Sequence, residues 1–202
     1  MGGPAQSGAC GAAAAAAAGA ACGKACAPGH DAGLAQLRRT EANSIEEGIF
    51  LGSVVAAEDL AALKKRRISH ILVCTPDLPR MHRQHFTYGR VPLLDMVSAN
   101  LLEHLPGALE FLCAARESGT GTFIYCSKGI SRSASCLIAL FMFERGIGFE
   151  EAWELCVRRR PVVYPNLGFQ QQLRHFASLV AAACPALAGG SRPSGGGWRE
   201  RL

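Results

Sequence analysis

At 202 residues, with Lys+Arg 21 against Asp+Glu 16, the chain carries a formal charge of +5. That excess is too mild to argue for nucleic-acid binding, and it suits an anionic ligand. Hydrophobic residues make up 49%, enough for one core, and no apolar run reaches the roughly 18 residues that a membrane span requires.

Residues 1 to 43 are rich in Ala and Gly without periodicity and read as a disordered arm. The Ala12 to Ala18 run lacks a basic lead-in and strongly apolar residues, which argues against a secretory signal. The first acidic residue is Asp31, which keeps an organellar leader as an alternative reading. Against it, serine is scarce and no arginine precedes Arg38. Gly2 follows Met1, but Gln6 stands where myristoylation calls for Ser or Thr. Cys22, Cys26 and His30 are spaced like metal ligands; with no evident fourth ligand they read as chance in a low-complexity segment.

The texture changes at Ser44, and residues 44 to 183 read as one domain. "GIFLGS" (48 to 53) is a short strand, and "AAEDLAALKKRR" (56 to 67) a helix, acidic first and basic last as its dipole favours. "ISHILVC" (68 to 74) is a β-branched run bounded by turn residues, hence a buried strand. "FTYGRVPL" (86 to 93) is a weaker strand. In "NLLEHLPGALEFLCAARES" (100 to 118), Leu102, Leu105, Leu109 and Leu112 share one helical face, with Pro106 placed in the first turn. "GTFIYC" (121 to 126) is a strand. "SASCLIALFMFERG" (133 to 146) is a helix apolar nearly all round and closed by Gly146. "GFEEAWELCVRRR" (148 to 160) is an amphipathic helix stopped by Pro161, and residues 165 to 183 form a last helix. From Cys184 to Leu202 the Pro, Gly and Ser content marks a flexible tail. Strands alternating with helices predict an α/β layered domain. The 9 cysteines are an odd number, and Cys74, Cys113, Cys136 and Cys156 sit in apolar periodic segments. Both features point to reduced thiols in a reducing compartment, the cytoplasm first and the nucleus second.

Between Cys126, where a strand ends, and Arg132, where a helix begins, stand Ser127, Lys128, Gly129, Ile130 and Ser131. A tight turn there aims backbone N–H groups at one point, and the helix N-terminus adds partial positive charge, which makes an anion cradle. A thiol at its mouth feels the same field, which favours the thiolate. The planar fork of Arg132 matches two phosphate oxygens. Cleaving a phosphate ester also needs a proton for the departing oxygen, and Asp95, on a loop between a strand and a helix, can supply it.

These segments carry a resemblance. "YCSKGISRS" fits the Cys-x5-Arg-Ser signature of cysteine-based phosphatases. "VPLLDMVSANLLEHLPGALEFL" resembles the general-acid loop and following helix of the dual-specificity subgroup, and "RRRPVVYPNLGFQQQLRHF" its closing segment. "IFLGS" and "SHILVC" resemble its opening strands. The match runs from about Ile45 to Leu179, with the segments in the right order. No rhodanese-like regulatory module precedes it, as in the small, atypical members.

The resemblance implies a cysteine-phosphatase fold, a central mixed, mostly parallel sheet of about five strands flanked by helices. It implies hydrolysis of phosphotyrosine and of phosphoserine or phosphothreonine in proteins through a phosphocysteine intermediate, with no metal and no cofactor. Cys126 is then the nucleophile, Asp95 the acid and later the base, and Arg132 with the loop N–H groups the phosphate clamp. Ser133 hydrogen-bonds the sulfur, and Asn166 supports the loop. Family members usually carry His before the nucleophile to orient the loop; Tyr125 holds that loop-supporting place here, and Lys128 replaces a small or apolar residue. In some relatives a cysteine at the place of Cys74 pairs reversibly with the nucleophile; the competing reading is a core thiol. "KKRR" (64 to 67) and "RRR" (158 to 160) could dock an acidic partner such as a kinase, although solvated helix ends explain them as well. The alternatives are a phosphatase of phosphoinositides or other non-protein esters, which Lys128 keeps open, and a phospho-binding domain of weak turnover. A monomer is the expected state.

Overall fold

The computed structural model describes residues 41–183. The expected disorder of residues 1 to 40, the Cys22, Cys26 and His30 spacing and the tail from Cys184 lie outside the described residues. Ala42 is already buried and Asn43 already sits in a strand, so the folded unit takes in residues that were read as the end of the arm.

That first strand, β1 (Asn43–Glu46), pairs antiparallel with β2 (Ile49–Ser53) through a tight turn. Gly48 takes φ +74 in that turn, a conformation glycine adopts without a steric penalty. β3 (Ile68–Val73), β4 (Thr87–Arg90) and β5 (Gly121–Cys126) complete a five-stranded sheet of order β1-β2-β5-β3-β4. Every pairing except β1 with β2 is parallel. The sheet is thus mixed and mostly parallel, and β5 occupies its middle with every residue buried. Parallel strands need crossovers on both faces, which accounts for the near-continuous apolar run of β5.

The helix expected over residues 56 to 67 is instead two, α1 (Val54–Glu58) and α2 (Leu60–Lys65). The break falls at Asp59, whose carboxylate accepts from the Ala62 N–H at 2.9 Å; a short carboxylate favours capping a helix over continuing one. A 3₁₀ turn at Leu102–His104 leads into α3 (Leu105–Glu117), with Pro106 in its first turn. α4 (Arg132–Arg145) follows β5, and Gly146 closes it at φ +64. α5 (Phe149–Arg159) and α6 (Leu167–Ala183) end the described chain. No described helix is long and apolar enough to cross a membrane.

The period-two alternation of β5 sorts its side chains between two cores. Ile124 and Cys126 join Leu51, Leu72 and the apolar faces of α3, α4, α5 and α6. Phe123 and Tyr125 join Ile71, Val73, Ala57 and Leu63 on the opposite face. The alternation that buries Cys126 against α4 therefore turns Tyr125 away from it. The described cysteines Cys74, Cys113, Cys126, Cys136 and Cys156 are thiols, none of them in a disulfide.

Burial raises several of these acids. It pushes the Cys156 thiol up to about 12, the Tyr88 phenol up to about 12, and the Cys74 thiol and Tyr125 phenol well above their usual values. Each is held neutral in the fold but ionises once unfolded, at about 8.5 for a thiol and about 10 for a phenol. A raised folded value contributes stability that is fully present below the unfolded value and lost as pH climbs towards the folded one. The urea midpoint is accordingly expected to hold steady to about pH 8 and then fall progressively towards pH 12. Substituting Tyr125→Phe should flatten the upper part of that decline; a midpoint rising with pH in this window would contradict the assignment.

Candidate active site

The C-terminal end of β5 delivers Cys126 to the edge of the sheet, and the chain needs only Ser127 to Ser131 to turn into α4. The Cys126 sulfur is buried and accepts two hydrogen bonds, from the Gly129 N–H and the Ser133 hydroxyl, each at 3.2 Å. Both donors favour negative charge on sulfur. No side chain caps the N-terminus of α4, so its first N–H groups and its dipole remain open to an anion.

Arg132 donates from Nη2 to the Ser127 hydroxyl at 3.0 Å. Its Nε is shielded from water and makes no hydrogen bond; the nearby Asp95 carboxylate stands at 3.7 Å, beyond bonding distance. A buried guanidinium N–H with no hydrogen bond and only a long ion pair to Asp95 is suited to receive an oxyanion at the helix N-terminus.

Asp95 is brought in from the opposite wall. Its Oδ1 accepts from the Ser131 hydroxyl at 2.7 Å and from Asn166 Nδ2 at 2.9 Å. Ser131 in turn accepts from the Asn166 N–H at 3.1 Å, while Asn166 Oδ1 caps α6 through the Phe169 N–H at 3.0 Å. Asn166 therefore combines helix capping with a direct hold on the acid. The loop bearing Asp95 is pinned further on. Gln172 accepts from the Leu101 N–H at 2.7 Å and donates to the Ala99 carbonyl at 2.9 Å. Gly168 lies so close to the loop that a Cβ there would stand 1.9 Å from the Val97 carbonyl oxygen. Cys126, Lys128, Ile130, Arg132, Asp95 and Asn166 line one cleft of about 670 Å³, with Lys128 exposed at its margin.

Two expectations change. Tyr125 does not support the phosphate loop: its ring stacks on Phe123 and its hydroxyl donates to the Pro79 carbonyl at 2.7 Å, on the far face of the sheet. The loop is held instead by Arg160, which was read as part of a solvated or partner-docking RRR triplet. Arg160 is fully buried. Its Nε donates to the Gly129 carbonyl at 2.8 Å and its Nη2 to the Lys128 carbonyl at 3.0 Å, while Nη1 reaches Asn43 Oδ1. The chain leaves helical geometry at Arg160, with φ −135 and ψ 86, and that turn carries the side chain inward. The sequence signal was its place directly before Pro161, which ends the helix. Cys74 is buried, as the core-thiol reading expects, and its thiol donates to the Cys136 sulfur at 3.7 Å. Its N–H donates to the Tyr125 carbonyl at 2.8 Å, which sets it beside the strand that ends at Cys126. Among the described residues no group of three His, Cys, Asp or Glu side chains is placed to hold a metal ion.

The family model "Dual specificity phosphatase, catalytic domain" matches residues 49–178. The chain is 35% identical over 134 residues to dual specificity protein phosphatase Mpk3 of Drosophila melanogaster, covering 65% of this chain and 33% of that one. It is 33% identical over 138 residues to dual specificity protein phosphatase 1B of Arabidopsis thaliana, covering 68% and 83%. A crystal structure of a mouse dual specificity phosphatase complexed with zinc tungstate superposes with TM-score 0.69 at 28% identity, covering 73% and 92%. The chain spans a third of the length of the fly relative.

Gly129 has φ +65, and a Cβ on it would stand 2.2 Å from the Gly52 carbonyl oxygen. Gly129→Ala is expected to destabilise the fold by about 2 kcal/mol or more, since the left-handed strain alone is about 1–2 kcal/mol. Arg160→Met, which leaves loop carbonyls unpaired, should cost about 2 kcal/mol and weaken inorganic phosphate binding about tenfold. Urea unfolding and titration calorimetry measure the two effects; phosphate affinity unchanged in Arg160→Met would show that the loop does not depend on it.

Proposed function

The chain belongs to the dual specificity phosphatase family, and on that premise we propose that it hydrolyses phosphotyrosine and phosphoserine or phosphothreonine in proteins through a phosphocysteine intermediate. The observation that carries this reading is the water-shielded Nε of Arg132, without a hydrogen bond and ion-paired only at long range to Asp95, in the same cleft as a sulfur with two donors on it.

In the first displacement the Cys126 thiolate attacks phosphorus as the P–O ester bond breaks. Arg132 and the N–H groups from Ser127 to Arg132 take the equatorial oxygens and stabilise the charge that develops there. Asp95 gives its proton to the leaving oxygen. Because Ser131 and Asn166 both donate to Oδ1, that oxygen is held as an acceptor, and the proton is carried on Oδ2. In the second displacement Asp95 takes a proton from water as the water oxygen attacks phosphorus. The S–P bond breaks, and the Ser133 hydroxyl, 3.2 Å from sulfur, stabilises the departing thiolate.

Cys126→Ser is expected to lower kcat on para-nitrophenyl phosphate by about 10⁴-fold or more; equal rates would sink the assignment. Asp95→Asn should lose about 10²–10⁴-fold on phenyl phosphate, whose phenoxide needs a proton, and far less on an ester of a strongly acidic phenol. Asn166→Ala should show the same leaving-group dependence in weaker form. A uniform loss on both esters would assign Asn166 to scaffolding alone.

A further inference from the structure

Of the large apolar side chains that stand exposed among the described residues, all but Val55 lie on two segments bordering the catalytic cleft. Leu94, Met96 and Val97 surround Asp95, and Tyr164 and Leu167 flank the Pro165-Asn166 turn; their exposure runs from 52% to 62%. Scattered exposed apolar residues need no explanation, but a group concentrated at one opening does. The two segments touch through backbone, since Gly168 has no room for a Cβ beside the Val97 carbonyl. Val97 and Leu167 both line the cleft and add hydrocarbon beside Asp95 and Asn166.

Tyr164 is held rigidly. Its N–H donates to the Ile130 carbonyl at 2.9 Å, and its ring meets the Trp153 ring edge-on with centroids 5.5 Å apart. An aromatic ring fixed from behind and bare in front is a low-entropy contact surface.

We propose that this rim selects phosphorylated protein segments that carry large apolar residues on either side of the phosphorylated side chain. The proposal rests on the phosphatase reading above, and the charge around the cleft supports it. The cations lining it are Lys128 and Arg132, set against the Asp95 carboxylate, which matches one phosphate monoester rather than a headgroup bearing several. An apolar patch that docks on a lipid surface is interleaved with basic residues. Neither residues 93–100 nor residues 163–168 contain a single Lys or Arg. Acidic residues beside the phosphorylated one would meet hydrocarbon there, whereas leucine or phenylalanine would bury it.

The test uses the Cys126→Ser chain and three phosphotyrosyl peptides of equal length, flanked by Leu and Phe, by Ser and Gly, or by Asp and Glu. Binding read by fluorescence anisotropy should favour the apolar-flanked peptide over the acidic one by about tenfold or more. Replacing the rim residues outside the cleft lining, Leu94→Ser with Met96→Ser, should cut that preference at least about threefold while the Ser/Gly-flanked peptide, which reports that the chain is folded, binds within about twofold of before. Equal affinities for the three peptides, or preference for the acidic one, overturn the proposal. So does flotation with phosphatidylcholine vesicles carrying a phosphoinositide, if the Leu94→Ser, Met96→Ser chain loses it. Because binding is measured without turnover, loss of the phosphatase reading shows separately, as a wild-type chain that fails to hydrolyse para-nitrophenyl phosphate.

Discussion

A single buried guanidinium sets the shape of the phosphate loop. Arg160 carries its charge into a site with no exposure, where an isolated cation is strongly disfavoured. It is tolerated because carbonyls of Gly129 and Lys128 and the side chain of Asn43 surround it. Those same carbonyls are turned outward from the cradle. A loop whose C=O groups point back at a cation leaves its N–H groups to face the other way, and the Gly129 N–H does point at the Cys126 sulfur. The left-handed backbone of Gly129 belongs to the same device, since only glycine fits against the Gly52 carbonyl at that conformation. The anion cradle thus depends on a cation that never meets the anion.

The acid is positioned by a separate mechanism. Asp95 comes from a loop with no regular structure, and its placement rests on α6 through Asn166, Gly168 and Gln172. Ser131 joins the two systems: its hydroxyl donates to Asp95 while its backbone carbonyl accepts from the Ser135 N–H inside α4. A hydroxyl at this helix start would ordinarily cap its own helix. Here it bonds the acid instead, and the α4 N-terminus is left uncapped for the ligand.

What could be read from the sequence, and what could not, follows from how local each signal is. The β5 strand, the α4 helix and the Cys126 to Arg132 spacing are contiguous, so periodicity and motif place them together. Asp59 split an expected helix because an Asp one turn from its end can either continue or cap, and only packing decides which. β1 was missed because Asn43–Glu46 buries one apolar residue, Ile45, too little for any period to show. Arg160 looked like the solvated end of a basic run. Its burial depends on Gly129, Lys128 and Asn43, all distant in sequence, and no local pattern reports such a contact. Tyr125 went astray for the opposite reason: the family position suggested a loop role, whereas strand alternation, which is local, already assigned it to the other face.

The division of labour around the cleft follows from these constraints. On the proposed reading, phosphate recognition rests on backbone groups and Arg132, in a loop held by Gly129 and Arg160. The rim has no such burden. Leu94, Met96, Val97 and Leu167 project more than half exposed from segments whose backbone is already held by α6, while Tyr164 also packs edge-on against Trp153. Exposed positions of that kind tolerate most polar residues at little energetic cost, and hydrocarbon there gives the fold little. The rim is therefore where one member of a shared scaffold can differ from another in what it accepts, while the chemistry beneath stays the same.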